Sequence, residues 1–522
     1  MNVFSNLEDH KQEKTIPFRW SARTDLPLVI LLFIIIGLDL LLYITDSLPP
    51  IGLVILALAW LIYLALSQRT CVFTPMTMPA LALLCLLPLS LNISVDTNQS
   101  LPKVYGLLLS VSIFFWLINA ICCKERVILM IFGLVFMAGG VALVGLLATD
   151  WPGVKFGILA PVYNRLAAII ELLPGAVLRG RINANSLGGA LAFFIPLLIA
   201  LLWGRGIYGI MGRRRRSPPA IRISWKLLLF LILLLVGITL FQTQARGAFL
   251  GTAVGLLAVV AWKDRRFLWL IPILLAGLLL LIVATESGSL AGLIRFLDTS
   301  DNDTMPGRLE AWRNALYVIQ DFPLTGIGIG TYNRIFKDIY LLNPLLQQGS
   351  SLFHAHNTFL SVTIDLGIPA LVLYTALLGS FTVMVLRLLK SSNKATRMLA
   401  LGLSSGMLAH QVFGIMDAYA LGRNLGEILW IFYGCMTALY LNQHGYRAIS
   451  ISRQLIVITA GTGAWIMISL GAAGLVTNTP LLSVLVAVLG GFVLGAALVT
   501  KPDMPKPSYQ QTTAVLDESG IS

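Results

Sequence analysis

The sequence predicts an all-α fold, a polytopic bundle of about fourteen membrane-spanning helices, and three observations carry that expectation. Hydrophobic residues make up 57% of the 522 positions and charged residues only 12%, with a mean hydropathy of +0.85. Uncharged apolar stretches approaching the ~20 residues that cross a bilayer recur along the chain. The Lys and Arg residues fall unevenly in the segments between those stretches. Such a chain is too apolar for a soluble globule.

The elements follow in order. Residues 1–25 mix Glu8, Asp9, Lys11, Glu13, Lys14, Arg19 and Arg23 without a cleavage-like site, which predicts a cytoplasmic tail and a first span acting as its own targeting signal. The apolar runs place spans at 26–44, 48–66, 77–92, 103–122, 126–148, 185–203, 226–243, 246–262 and 267–285, the N-terminal membrane section 26–285. A large extracytoplasmic loop, 286–356, follows. Spans 357–388, 396–417 and 424–441 form the next membrane section, 357–441. The section 442–499 adds spans 454–472 and 480–499, and 500–522 forms a second cytoplasmic tail. The run 357–388 is long and contains Pro369, so a tilted or kinked helix is expected there.

With the N-terminus inside, 25 of the 37 Lys and Arg lie on the cytoplasmic side, including Arg213 to Arg216, Lys263, Arg265, Arg266, Arg387, Lys390, Lys394 and Arg397. That asymmetry orients the chain and sends both termini inward. The net charge of +13 then needs no nucleic-acid partner. Arg213 to Arg216 read as a topology anchor, with anionic lipid heads as a further contact. The five cysteines show no CxxC spacing and no outer pair, so neither a metal knuckle nor a disulfide framework is expected.

Two outer segments interrupt the spans. In 162–173, Val162, Leu166, Ile169, Ile170 and Leu173 recur at helical spacing, which predicts a helix lying in the interface. It serves either to hold a lipid-bearing substrate or simply to pack a loop. The 286–356 loop is long enough to carry structure or function. Within it Leu309, Trp312, Leu316 and Ile319 mark the apolar face of a helix beginning near Pro306, capped by Asp303 or Thr304. Arg308 then falls in the first turn, where a cation opposes the helix macrodipole unless an anion binds. Arg246, in Thr243-Gln244-Ala245-Arg246-Gly247, opens a span in the same way. Two guanidinium forks at two outward helix starts suit a phosphate or diphosphate; snorkelling interfacial arginines are the competing reading.

His354 and His356 share a side only in extended chain, and no carboxylate follows at zincin spacing, so no metal site is expected. His356 precedes the span opening near Asn357, where a neutral imidazole would serve as a general base; a capping or interfacial histidine is the alternative. Asp301-Asn302-Asp303 reads as an acidic turn capping the next helix. Gly326, Gly328 and Gly330 lack the strand-turn-helix setting of a dinucleotide loop and instead allow tight turns, beside the substrate in the functional reading. His410, Gln411 and Asp417 lie within or at the end of a span, as functional groups or as interhelical hydrogen bonds.

Arg246 in Gln-Ala-Arg-Gly, Gly307-Arg308 with Trp312, Pro323 followed by Gly326-Ile327-Gly328, and His356-Asn357 upstream of Gly367 together resemble the O-antigen ligase and O-antigen polymerase superfamily of bacterial envelope glycan enzymes. Arg181-Ile182-Asn183-Ala184-Asn185 resembles an Asn-containing segment those proteins carry upstream. The similarity runs over roughly 100 to 440 and leaves the two closing spans as additions to a core of about twelve.

The resemblance implies a glycosyltransferase of the bacterial cytoplasmic (inner) membrane with its active site outside. It would move a glycan from undecaprenyl diphosphate to an acceptor hydroxyl without a metal or other cofactor. Arg246 and Arg308 would bind the diphosphate and His356 would orient or deprotonate the acceptor. Arg181, Asn185, Trp312, Gly326, Gly328, His354 and Asn357 would form the surrounding substrate site. The acceptor would be a lipopolysaccharide core, another carrier-linked repeat or a protein hydroxyl, with a flippase or chain-length regulator as partner beside the membrane lipids. A transporter is a reading of another class, since some superfamily members have been labelled inorganic-carbon transporters; no clear internal repeat supports it. A glycan-binding scaffold is a third and would tolerate loss of His356.

Overall fold

The computed structural model describes residues 73–121, 124–151, 160–171, 182–204, 219–269, 305–340, 355–417, 425–444, 451–475 and 480–499, with positions 54, 58 and 61 besides. The expected spans 26–44 and 48–66, most of 267–285, Arg181, His354, Arg213 to Arg216 and the Asp301 turn lie outside the described residues.

Described regular structure is helical: α1 Thr77–Cys85, α2 Leu87–Ile93, α3 Thr97–Ala120, α4 Lys124–Ala148, α5 Ala160–Glu171, α6 Ala184–Ala192, α7 Phe194–Trp203, α8 Pro219–Thr243, α9 Arg246–Lys263, α10 Met305–Asp321, α11 Tyr332–Ile335, α12 Thr358–Leu388, α13 Lys394–Met416, α14 Glu427–His444, α15 Ile451–Leu475 and α16 Pro480–Leu498. Among the described residues nine helical stretches are long and apolar enough to cross a membrane, α6 and α7 together forming one of them. The expected span 77–92 divides at Leu86 into α1 and α2, with Pro88 in the first turn of the second. The span 424–441 is helical as α14 but falls outside those nine. It is the most enclosed element, with every side chain from Ile428 to Leu441 buried.

Helix starts are set by short polar side chains, as backbone N–H groups without intrahelical partners require. Asp96 accepts from the N–H groups of Asn98 and Gln99. Asn183 does so for Asn185 and Ser186, Asn357 for Phe359 and Leu360, and Asn393 for Ala395 and Thr396.

Because lipid is as apolar as a leucine side chain, helices in a membrane associate through close packing. Gly247, Gly251 and Gly255 recur every fourth residue along α9. A Cβ on Gly251 would stand 2.1 Å from the Ala409 carbonyl oxygen of α13, so only glycine permits this approach. Aromatic residues fill the centre, with Phe193 stacked on His410 at 4.1 Å and against Phe432 at 4.6 Å. The C-terminal helix α16 belongs to the same packing: the Ser380 hydroxyl of α12 donates to the Gly495 carbonyl at 2.9 Å.

The expected kink in α12 falls at Gly367, whose φ of 80° and ψ of 176° leave the helical region two residues before Pro369. The loop after α10 plugs into this break. Ile327 N–H donates to the Ile364 carbonyl at 2.8 Å and Ile368 N–H to the Pro323 carbonyl at 2.7 Å. The carbonyl orphaned by the kink is thereby satisfied from the loop, as a buried backbone demands.

Candidate functional site

The start of α12 carries His356 and Asn357, and three neighbours hold it. The Asn357 side-chain amide donates to the Ile415 carbonyl at 3.2 Å. The Thr358 hydroxyl donates to the Asp417 carbonyl at 3.4 Å. Trp312 Nε1 donates to the His356 carbonyl at 3.4 Å. His356 itself adopts φ 46°, a left-handed conformation uncommon for a residue with a side chain and one that persists only where the surroundings impose it.

This posture sets His356 Nδ1 3.4 Å from Asp417 Oδ1, with the two side chains 20% and 10% exposed. A carboxylate beside one ring nitrogen favours the tautomer that carries a proton there and leaves Nε2 as an acceptor. Asp417 is therefore an acidic neighbour of His356 at ion-pair distance. In the sequence Asp417 stands out only as a polar residue at a span end, because two spans separate it from His356 in the chain.

Arg246 is the first residue of α9, behind a cap residue, Ala245, whose side chain makes no capping bond. The next residue, Gly247, packs on Met416, with a Cβ there 3.1 Å from the Met416 Cβ. Met416 adjoins Asp417, so packing of α9 on α13 brings Arg246 to the His356 end. Arg308 lies in the first turn of α10, one turn before Trp312. Residues four apart share a helix face, so the Trp312 bond to His356 turns the Arg308 face toward the same region. Asn185 lies in the first turn of α6, three residues before Gly188, where a Cβ would stand 2.7 Å from the Ala245 Cβ. Arg246, Arg308, Trp312, His356, Asn357 and Asn185 thus gather at one end of the bundle.

Residues 228–375 match the O-antigen ligase family. The match includes Arg246, Arg308, Trp312, His356, Asn357 and the Gly367 kink, and stops short of Asp417. The family implies a lipid-linked glycan ligase or polymerase, a multi-pass membrane enzyme. Comparison with curated proteins finds no match.

Other expected residues take different places. Gly326 (φ 64°) and Gly328 (φ 94°) are buried where a side chain would strike backbone: a Cβ would lie 2.4 Å from the Ile364 carbonyl oxygen and 2.9 Å from the Ser94 Cα, respectively. They seat the loop on α12 and α2. The loop is pinned further by Ile329 N–H donating to the Ser90 hydroxyl at 2.8 Å and by Gly330 N–H donating to Asp365 at 3.1 Å. Leu309 is 53% exposed and does not join the packed face of α10. That face is built on Ala311, Ala315, Val318 and Ile319, whose small members let the helix sit close. His410 faces the Gly189 carbonyl at 3.1 Å, and the Tyr374 hydroxyl donates to Gln411 at 3.1 Å, so both serve as interhelical bonds. Among the described residues no three His, Cys, Asp or Glu side chains gather as a metal site.

Proposed function

We propose that this chain transfers a glycan from a polyprenyl diphosphate carrier to an acceptor hydroxyl at the outer face of the bacterial cytoplasmic membrane, as an O-antigen ligase-like enzyme. The observation that carries the reading is the approach of His356 to Asp417 at 3.4 Å, at the bundle end that also carries Arg246 at the start of α9 and Arg308 in the first turn of α10. Lys263, Arg265, Arg266, Lys390 and Lys394 fall at the opposite end and are exposed, which supports an outward-facing site by the positive-inside rule.

In this mechanism Asp417 holds the imidazole while Nε2 of His356 takes the proton from the acceptor hydroxyl. The hydroxyl oxygen attacks the anomeric carbon as its bond to the carrier phosphate breaks. Negative charge then grows on the departing diphosphate, and Arg246 and Arg308 meet it with donors already in place. Such donors act most strongly at the transition state and need no metal. Attack opposite the leaving group inverts the anomeric centre. Asn185 and Trp312 border the site, Asn357 sets the His356 turn, and Gly326 and Gly328 seat the loop after α10 on α12 and α2. The family-like core of about twelve spans, with two C-terminal spans beyond it, would support this site.

A reconstituted assay tests the reading. Purified protein in liposomes receives polyprenyl-diphosphate oligosaccharide with chelator present and, in turn, lipid A core, further carrier-linked repeats or a serine-rich protein. Product on one acceptor names the branch. His356→Ala should lower transfer by roughly a hundredfold to ten-thousandfold, the range for a lost general base, while carrier binding persists. Transfer that survives His356→Ala at full rate would sink the assignment.

A further inference from the structure

The turn that presents Arg246 is held from outside the transmembrane bundle. Gln242, Thr243 and Gln244 are all buried, at 0%, 0% and 2% exposure, and Gln244 adopts φ 48°, a second left-handed residue at this end of the molecule. Within the turn Thr243 Oγ1 accepts from Ala245 N–H at 3.2 Å and donates to the Leu240 carbonyl at 2.7 Å. The remaining support comes from α5. Tyr163, 4% exposed, donates its hydroxyl to the Gln242 carbonyl at 2.5 Å. Its ring lies 6.3 Å from that of Phe241. Burial pushes the phenol above its ordinary range, so it remains a neutral donor at physiological pH.

The rest of α5 explains how that contact is carried. Tyr163 and Ile170 are buried, at 4% and 5%, while Val162 and Ile169 are 58% and 60% exposed. Sequence periodicity groups the last three as one apolar face; the structure splits them. One side of α5 grips the turn, and the other leaves two aliphatic side chains for the lipid interface.

We infer that Tyr163 is a positioning residue for transfer: from an interfacial helix it clamps the Gln242–Gln244 turn and thereby aims Arg246 at the leaving diphosphate. The clamp rests on the role proposed above for Arg246. It matters because a left-handed non-glycine turn relaxes unless its surroundings over-determine it, and small misplacement of an electrostatic donor costs rate more than binding.

The test is Tyr163→Phe, which keeps the ring and deletes the hydroxyl. Hydrogen exchange should quicken in the peptide covering 241–248 and stay unchanged in α12 and α13, with the unfolding temperature retained. In the liposome assay kcat should fall about tenfold with KM for the donor within about twofold, the pattern of a lost transition-state interaction. In an Arg246→Lys background the same change should add little, because residues acting through one another are not additive. Unchanged exchange at 241–248 overturns the clamp even if no transfer is found with the unmodified protein, an outcome that would by itself count only against the proposed function. Quickened exchange with unaltered kcat, or a full tenfold loss on top of Arg246→Lys, would overturn the link to Arg246.

Discussion

The two ends of the bundle use positive charge in opposite ways. At one end Lys263, Arg265, Arg266 and Lys390 stand exposed, and the contacts beside them are to aromatic side chains. The Lys263 ammonium rests 4.7 Å from the Trp203 ring centre, and Arg387 donates to the Tyr440 hydroxyl at 2.7 Å. At the other end Arg246 and Arg308 are half-buried, beside a turn and a helix start held in left-handed backbone. Charge near the first end needs only to be present, since an ammonium or guanidinium anywhere in the headgroup region anchors topology. Charge at the second end has been given a direction. Under the proposed function, the difference separates cations that orient a membrane protein from cations that meet the leaving diphosphate.

Replacing a fork by a point charge at the second end is the sharpest way to break that contrast. Arg308→Lys keeps the charge and loses the planar pair of donors, so transfer should fall by about a hundredfold to a thousandfold, the scale for removing one preorganised donor. Initial rates at saturating acceptor read it directly, and near-normal turnover would return Arg308 to the class of interfacial anchors. A smaller effect should follow Asp417→Asn. The amide leaves the packing near Thr358 in place but weakens the tautomer preference of His356, and a drop of roughly tenfold to hundredfold in kcat with donor binding intact is expected. If Asp417→Asn instead lowers the unfolding temperature and leaves kcat alone, the pair is structural.

Much of this contrast was legible in the sequence. The uneven Lys and Arg distribution marked the anchoring end, and arginines at the starts of α9 and α10 stood out because a cation there opposes the helix dipole. The pairing with Asp417 was not legible, because it depends on α12 packing on α13, where a Cβ on Gly414 would stand 2.8 Å from the Thr358 hydroxyl oxygen. Periodicity found the packed faces only in part. Trp312, Leu316 and Ile319 of the α10 stripe and Ile170 of the α5 stripe do pack inward, whereas Leu309 and Val162 are exposed and alanines and a tyrosine complete the packed sides. In a membrane protein an outward apolar residue costs nothing, so hydrophobic spacing alone cannot say which side meets protein. The glycines of 326–330 were read as turn-formers, and their positive φ values agree; their seating against α12 and α2 required the three-dimensional fold.

The smallest effect belongs to the anchoring end. Arg265 and Arg266 lie in a short turn after α9, where Arg266 N–H donates to the Asp264 carboxylate at 2.9 Å through its backbone and not its side chain. Removing either charge therefore breaks no bond in that turn. Arg265→Gln and Arg266→Gln should each shift stability by less than about 0.5 kcal/mol, as exposed substitutions do, and leave kcat and KM unaltered in correctly inserted protein. Combining the two should alter the fraction inserted in the right orientation before it alters turnover, and protease accessibility of a C-terminal tag would measure that fraction. A loss of turnover in protein of confirmed orientation would mean that the anchoring end also takes part in transfer, and the division between the two ends would fall.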